Sequence, residues 1–341
     1  MRLGILTSGG DCPGLNAVIR GAVLNGARAF GDEFVGFRDG WRGVMDGDFL
    51  TLDWKAVRGL ARRGGTMLGT SRTNPFAAGL DDKTVYRALG DAGVDALITI
   101  GGEGTLSVAS ELHRGGFNVI GIPKTIDNDL SATDYSFGFD TAVNVATEAI
   151  DRIHTSGEAH HRCMVVEVMG RNAGWIALHA GIATSAHAIL IPEVPVAMKQ
   201  ICAWVESTRD RGRTPLVVVA EGFALDNMDT PHHRHGLDTF GRPRLGGIAD
   251  VLAPLIEAHT GIETRATTLG YIQRGAVPTA FDRVLSTRMG MAAVQSAHDA
   301  RWGTMVANRG TTLRSVPLAE AIAELKTVPR ERYDEAAILF G

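Results

Sequence analysis

Short apolar segments alternate with longer amphipathic ones along most of the chain. Six of the short segments have the composition of strands buried on both faces of a parallel sheet: residues 3–7, 96–100, 118–122, 163–168, 188–191 and 215–220. Residues 15–29 and 141–154 repeat apolar positions at helical spacing, and a helix to about residue 113 follows the second strand. This alternation predicts an α/β fold whose sheets are covered by helices on both faces.

Length, charge and cysteine content narrow the class of protein. A chain of 341 residues is long enough to bury a large core, which we expect to be split between two lobes. A formal net charge of -4 and a pI near 6.3 give no electrostatic basis for binding nucleic acid. No apolar run approaches the ~18–20 residues that span a bilayer, and the N-terminus has no signal-peptide pattern. Three cysteines without a CxxC pair favour a reducing cytoplasm.

The loops after the predicted strands should carry the chemistry, because ligands bind beyond the carboxyl ends of such strands. The first loop, residues 7–14, contains Gly9, Gly10 and Gly14 before a helix N-terminus. Its backbone N–H groups could bind a phosphate, or it could be an ordinary tight turn. It is neither the dinucleotide fingerprint nor the P-loop, since no Gly-Lys dipeptide occurs in the sequence.

Two further loops carry charge. In residues 101–105, Glu103 lies among three glycines, where its carboxylate could bind Mg²⁺ or simply stabilise a helix N-terminus. Residues 121–129 combine Lys124, Thr125 and Asp127 directly after a buried strand. Phosphoryl transfer needs a base and a cation at one place, so this mixture favours a kinase-type site over an Asx-rich turn.

Three later segments add candidate residues, each of which could equally have a purely structural role. Arg171 lies between glycines after the strand at 163–168, Glu221 ends another strand, and residues 265–275 contain paired arginines suited to a sugar phosphate. The polar segment 225–243 holds His232, His233 and His235, which we interpret as a solvated loop and not a metal site.

The order of these loops resembles the phosphofructokinase family over roughly residues 1–300. The matching segments are residues 7–14, 64–72, 101–105, 123–129, 169–171, 221–222 and 265–274. The Thr-Ile-Asp-Asn-Asp element at 125–129 is highly specific within this set. The resemblance implies a phosphofructokinase-like fold of two lobes with a cleft between them, each a mostly parallel sheet flanked by helices. Residues 1–138 plus about 273–323 would form the phosphoryl-donor lobe, and 139–272 plus about 324–341 the fructose 6-phosphate lobe.

The resemblance also implies a role for each matching residue. Asp127 would be the base acting on the C1 hydroxyl, with Lys124, Thr125 and Arg171 as the other catalytic residues. Glu103 would hold Mg²⁺, although many family members have aspartate there. Residues implied in binding the donor are Gly10, Arg72, Thr73, Gly102, Glu103, Gly104 and Thr105. Those implied in binding the sugar phosphate are Thr125, Ile126, Asp127, Arg162, Met169, Gly170, Arg171, Glu221, Arg265, Tyr271, Ile272, Gln273 and Arg274.

Two positions bear on donor and substrate. Glycine at Gly104 is the family's pattern for ATP, whereas lysine at Lys124 is its pattern for pyrophosphate; we weight Gly104 more heavily, because an aspartate there would repel the α-phosphate that only ATP has. Tyr271 stands where histidine is usual, and a neutral phenol cannot carry an imidazolium's charge.

The expected protein is therefore a glycolytic, MgATP-using 6-phosphofructokinase, similar to an actinobacterial branch close to the pyrophosphate enzymes. In the family Arg162 and Arg265 cross from a neighbouring subunit, which implies a homo-oligomer, dimer or tetramer, with shared sites. Three alternatives stay open: a pyrophosphate-dependent enzyme, a kinase for a related sugar phosphate such as sedoheptulose 7-phosphate, and a nucleotide-sensing protein without turnover.

Overall fold

The computed structural model describes residues 1–77, 83–225, 233–237 and 243–341. Its strands are β1 (Arg2–Thr7), β2 (Glu33–Phe37), β3 (Phe49–Thr51), β4 (Ala96–Gly101), β5 (Val119–Pro123), β6 (Cys163–Val168), β7 (Ala188–Leu190), β8 (Leu216–Ala220), β9 (His233–Leu237), β10 (Pro243–Leu245), β11 (Thr264–Thr268), β12 (Thr304–Arg309) and β13 (Thr312–Pro317). Its helices are α1 (Leu15–Ala29), α2 (Trp41–Asp46), α3 (Lys83–Asp91), α4 (Glu103–Arg114), α5 (Phe139–His160), α6 (Trp175–Ala183), α7 (Met198–Asp210), α8 (Ile248–Thr260), α9 (Ala280–His298), α10 (Leu318–Ala321) and α11 (Arg330–Ala337). Short 3₁₀ turns lie at Leu60–Arg62 and Gly270–Gln273.

The chain divides into two compact units. The first comprises residues 1–126, 130–141 and 274–325, and the second residues 127–129, 142–273 and 326–341. The predicted lobes differ from these units by a few residues at each crossing, and residues 127–129 were expected in the first lobe. The backbone therefore passes from the first unit to the second directly after Ile126.

The first unit is built on a seven-stranded sheet in the order β13-β12-β5-β4-β1-β2-β3. The five central strands are parallel, and β3 and β13 pair antiparallel at the two edges. Its interior includes Leu6, Leu97 and Val119, all buried completely. Three of these central strands, β1, β4 and β5, are largely apolar and were recognised in the sequence, whereas β2 and β12, which contain Glu33 and Arg309, were not predicted.

The second unit contains a parallel four-stranded sheet in the order β11-β6-β8-β7. The strands β6 and β8 are buried at every position, and α6 packs on the same core. The strand β9 falls inside the segment 225–243 expected to be a loop, so that expectation was wrong for residues 233–237, and its antiparallel partner β10 begins at the last residue of the segment. His232 lies outside the described residues.

The structure places all three cysteines in the interior. Cys12, Cys163 and Cys202 are buried and form no disulfide, and burial raises the pKa of the first two thiols to about 12. Among the described residues no helix is both long and apolar enough to cross a membrane.

Candidate active site

Three parallel strands of the first unit, β1, β4 and β5, end side by side. Hydrogen bonds extend their ladder into the loops: the Ser8 N–H donates to the Ile100 carbonyl at 3.0 Å, and the Lys124 N–H donates to the Gly101 carbonyl at 2.9 Å. The three loops that carry glycine and charge in the sequence are therefore neighbours at one sheet edge, as expected for loops that follow the carboxyl ends of parallel strands.

A fourth segment closes over the first glycine loop. The Gly9 N–H donates to the Ser71 carbonyl at 2.9 Å, and the Thr70 hydroxyl donates to the Gly9 carbonyl at 2.6 Å. Arg72 follows directly and is exposed, and the Thr73 N–H donates to the Ser71 hydroxyl. The two predicted donor residues Arg72 and Thr73 are thereby placed beside the first glycine loop.

Two cations lie against this loop. Lys124 is 4 % exposed, and its ammonium donates a hydrogen bond to the Gly10 carbonyl. A guanidinium nitrogen of Arg274 donates to the Asp11 carbonyl at 3.0 Å. Arg274, one of the predicted sugar-phosphate residues, belongs to the first unit and contacts the glycine loop. The glycine loop therefore lies against two positive charges, which suits the binding of an anion.

The second loop opens α4. Gly102 is the N-cap residue, Glu103 is exposed in the first helical turn, and Thr105 is buried. A Cβ atom added to Gly104 would meet no atom within 4 Å, so open space lies beside this position. The helix N-terminus and the space next to it suit a phosphate group.

Glu103 fits a magnesium ion of the kind that bridges a protein and a nucleotide. Among the described residues no group of three or more His, Cys, Asp or Glu side chains gathers into an all-protein metal site. Mg²⁺ commonly uses one or two carboxylates, with phosphate oxygens and water as its remaining ligands. One exposed carboxylate in the first turn of a helix has that chemistry.

The third loop spans the boundary between the units. The Ser136 hydroxyl donates to the Thr125 carbonyl at 2.8 Å and fixes the last part of the loop in the first unit. Ile126 is 1 % exposed, so only its backbone is available to a ligand. Asp127 is half-buried, and Asn128 has a positive φ of 51°, which turns the chain there.

In the second unit the ends of β6, β8 and β11 are also neighbours. The Glu221 N–H donates to the Val168 carbonyl at 2.9 Å, and the Gly222 N–H donates to the Gly170 carbonyl at 3.0 Å. Gly170 has φ 138°, which disfavours any other residue, and a Cβ atom on Gly222 would lie 2.0 Å from the Arg171 carbonyl oxygen. Met169, Gly170, Arg171 and Glu221 are therefore brought together by the backbone itself.

Arg162 and Arg265 form an ion-pair cluster on the second unit. Arg162 lies 2.9 Å from Glu263, and Arg265 contacts both Glu263 and, at 3.6 Å, Glu257. The hydrogen bond from Arg162 and the adjacent arginine charges lower the pKa of Glu263. The two arginines predicted to hold the 6-phosphate therefore share a carboxylate partner in this chain.

The predicted site residues on the turn Gly270–Gln273 differ in their exposure to solvent. Tyr271 is 80 % exposed and Ile272 is 53 % exposed, whereas the side chain of Gln273 is completely buried. The Gln273 side-chain oxygen accepts the Met169 N–H at 3.2 Å, and its amide nitrogen donates to the Gly270 carbonyl at 3.0 Å. Both ends of this amide are engaged inside the protein.

Sequence reasoning assigned no role to Asp282, a completely buried carboxylate on α9. It accepts the N–H groups of Gly138 and Thr141, at 2.9 and 2.8 Å, and the Thr141 hydroxyl at 2.5 Å. Burial raises its pKa to about 6 despite these donors. Asp282 thereby caps the N-terminus of α5, and no local sequence signal marks this contact, because the nearby Thr279 caps the start of α9 instead by accepting the Asp282 N–H.

Comparison with known proteins decides the family: the model of the family described as Phosphofructokinase matches residues 2–297. The chain belongs to the phosphofructokinase family. A pyrophosphate–fructose 6-phosphate 1-phosphotransferase of Amycolatopsis methanolica is 55 % identical over 100 % of both chains, and an ATP-dependent 6-phosphofructokinase 2 of Streptomyces coelicolor is 50 % identical over 100 % of both. The crystal structure of Pichia pastoris phosphofructokinase in the T-state matches with a TM-score of 0.82 and 30 % identity, covering 99 % of this chain and 36 % of that one.

Phosphofructokinase membership confirms the predicted family and its α/β fold. The curated relatives include enzymes named for pyrophosphate and enzymes named for ATP, so family membership establishes a phosphofructokinase but does not distinguish its donor.

Proposed function

We propose that this phosphofructokinase transfers the terminal phosphoryl group of MgATP to the C1 hydroxyl of fructose 6-phosphate, giving fructose 1,6-bisphosphate and ADP. The observation that supports ATP is the open space beside Gly104, at the N-terminus of α4. A donor with an α-phosphate and a nucleoside needs such space, and glycine adds no charge that would repel the phosphate.

On the donor side, backbone N–H groups near Gly10 and the N-terminus of α4 bind phosphate oxygens, and Arg72, Thr73 and Thr105 add donors. Lys124 supplies positive charge under the glycine turn. Glu103 holds the magnesium ion, which neutralises charge on the phosphates when bound.

On the acceptor side, Asp127 takes the proton of the C1 hydroxyl as that oxygen bonds to the terminal phosphorus. The bond from this phosphorus to the bridging oxygen breaks, and ADP leaves with the electron pair. Arg171 stabilises negative charge on the transferring group. Met169, Gly170 and Glu221 bind the sugar, while Arg162, Arg265, Tyr271 and Arg274 bind its 6-phosphate.

Pyrophosphate is the second candidate donor, favoured by Lys124 and by the 55 % identical relative from Amycolatopsis methanolica. A coupled assay with fructose 6-phosphate and either MgATP or pyrophosphate, at matched concentrations, separates the two. We expect kcat/KM to be at least tenfold higher with ATP. A preference for pyrophosphate contradicts the donor assignment, and turnover only with sedoheptulose 7-phosphate contradicts the acceptor.

A shared site is part of the proposal, because the resemblance to the family implies that Arg162 and Arg265 reach a neighbouring subunit, and both side chains are partly exposed. If the two arginines complete the site of a second copy, Asp127→Asn inactivates the site on its own chain, whereas Arg162→Ala inactivates the site on the neighbouring chain. Co-expressed chains carrying one substitution each should then regain part of the wild-type activity, since some sites contain both intact residues. Mixed oligomers as inactive as the two parents would contradict a shared site.

A further inference from the structure

The Gln273 side chain bridges two segments that the proposed function assigns to the sugar phosphate. One is the end of β6, where Met169 and Gly170 lie, and the other is the turn Gly270–Gln273, which carries exposed Tyr271. Both segments belong to the second unit. The bridge consists of the Met169 N–H donating to the Gln273 oxygen at 3.2 Å and the Gln273 nitrogen donating to the Gly270 carbonyl at 3.0 Å.

A completely buried amide that uses its acceptor on one segment and its donor on the other is unsuited to contact a ligand directly. It acts instead as a structural bridge, because each of its hydrogen bonds fixes one segment relative to the same rigid planar amide. Removing the hydrogen-bond partner of a buried polar group costs far more free energy than removing the partner of an exposed one. The two segments therefore keep one spacing as long as the amide is present.

A second link parallel to this bridge shows that the spacing is held on more than one side. The Leu269 N–H donates to the backbone carbonyl of Glu167 at 2.9 Å. The buried Glu167 carboxylate accepts the N–H groups of Gly247 and Ala249, which ties β6 to the start of α8. Gln273 is the member of this arrangement that reaches past the end of β6 to Met169.

We propose that Gln273 is a positioning residue that sets the distance between the Met169–Gly170 backbone and Tyr271, and so determines affinity for the sugar phosphate. It replaces the direct contact expected from the sequence. The inference rests on the proposed function for its substrate. It predicts a selective effect: binding of the sugar phosphate should weaken, while binding of the phosphoryl donor stays unchanged.

The test compares Gln273→Met and Gln273→Glu. Gln273→Met keeps the length of the side chain and removes both hydrogen bonds. We expect KM for fructose 6-phosphate to rise about tenfold, in line with the loss of two buried hydrogen bonds, with donor KM unchanged within twofold and kcat within threefold. Thr208→Val is the matched control, since it removes one buried hydrogen bond, to the Trp204 carbonyl, from α7.

Gln273→Glu should recover binding of the sugar phosphate when its side chain is protonated, which a side chain that only fills the same volume would not do. When ionised, the introduced carboxylate still accepts the Met169 N–H but faces the Gly270 carbonyl without a proton to donate. When protonated, it restores both hydrogen bonds, and burial favours the protonated form. Its KM for fructose 6-phosphate should therefore move at least threefold toward the wild-type value between pH 8 and pH 6, whereas Gln273→Met shows no such change relative to wild type.

Amide hydrogen exchange at Met169, measured without substrate, tests the Gln273 bridge independently of activity. Exchange should accelerate about tenfold or more in Gln273→Met and stay close to wild type in Gln273→Glu and Thr208→Val. Unchanged exchange in Gln273→Met, or a donor KM that rises as much as the sugar-phosphate KM, overturns the positioning role. A wild-type protein that does not phosphorylate fructose 6-phosphate overturns the proposed function instead, and that result is visible before any variant is made.

Discussion

The ammonium of Lys124 donates a hydrogen bond to the backbone carbonyl of Gly10, although 114 positions separate the two residues in the chain. The contact brings the end of β5 against the loop after β1 and buries a positive charge beneath the glycine turn. A phosphate on that turn would interact with the charge at close range, where a unit charge is worth roughly 1–4 kcal/mol at ~4 Å.

Lys124→Met should therefore weaken use of the phosphoryl donor. Methionine retains the apolar stem and removes the charge and the hydrogen bond, so we expect kcat/KM for the donor to fall at least about tenfold. Steady-state kinetics with the donor varied at saturating fructose 6-phosphate measure the effect. Lys55→Met, next to exposed Trp54, is a control for loss of a lysine charge and should leave the kinetics unchanged. Donor kinetics within twofold of wild type in Lys124→Met would remove Lys124 from the site.

Gly104→Asp should reduce use of ATP at least ~100-fold in kcat/KM, because the new carboxylate faces the α-phosphate. The folded chain has room for the side chain, since nothing lies within 4 Å of an added Cβ atom. Gly104→Asn is the matched control: it has the same shape without the charge, so it should lose much less.

Pyrophosphate lacks the nucleoside and is gripped by Lys124, so the Gly104→Asp variant is expected to gain pyrophosphate-dependent turnover. Kinetics of all three proteins with both donors separate charge from bulk. Equal losses in the aspartate and asparagine variants would mean that bulk, not charge, governs position 104.

Asp127→Asn should fold normally and lose ~10²–10⁴ in kcat, the usual contribution of a positioned general base. The substitution keeps the shape of the side chain but cannot accept the hydroxyl proton. An unchanged melting temperature and a KM for fructose 6-phosphate within about threefold would show that binding survives. Asp299→Asn, at the C-cap of α9, serves as a control for loss of an acidic side chain, because Asp299 pairs with Arg301 outside the proposed site. Turnover of Asp127→Asn within threefold of wild type would exclude Asp127 as the base.

His187 should make the folded protein less stable in acid. Its ring is 5 % exposed, and burial with the nearby Arg213, His154 and Arg211 charges lowers its pKa from 6.5 to about 4. Between these values the unfolded chain binds a proton that the folded chain does not. The stabilising contribution, about 3 kcal/mol for such a shift, is complete above pH 6.5 and is lost as the pH falls through 4.

Urea unfolding of wild type and His187→Asn at pH 7.5 and pH 4.5 measures this contribution. Asparagine can still accept the Leu216 N–H that His187 accepts at 3.2 Å, but it does not titrate. The variant should therefore lose less free energy of unfolding than wild type on acidification. His259→Asn, at an exposed site on α8, should retain the wild-type pH dependence. Identical pH dependence in wild type and His187→Asn would contradict the assignment.

The sequence by itself determined five of the buried strands, the helices α1, α4 and α5, and which loops after the strands carry glycine and charge. Buried parallel strands are apolar on both faces, so β1, β4, β5, β6 and β8 have a local signature. Glycine, lysine and aspartate at strand ends mark phosphate chemistry in the same local way. The strand β9 has no such pattern, and its polar sequence was interpreted as loop.

Only the tertiary structure decided which groups share a hydrogen bond across long separations. Asp282 accepts the N–H groups of Gly138 and Thr141, from which it is separated by 144 and 141 positions. Gln273 joins Met169, 104 positions away, to Gly270. Nothing in a local window distinguishes a glutamine that contacts ligand from one that is completely buried. The difference arises because a buried polar group must find its partners wherever the folded backbone places them, and that placement depends on the packing of the whole unit.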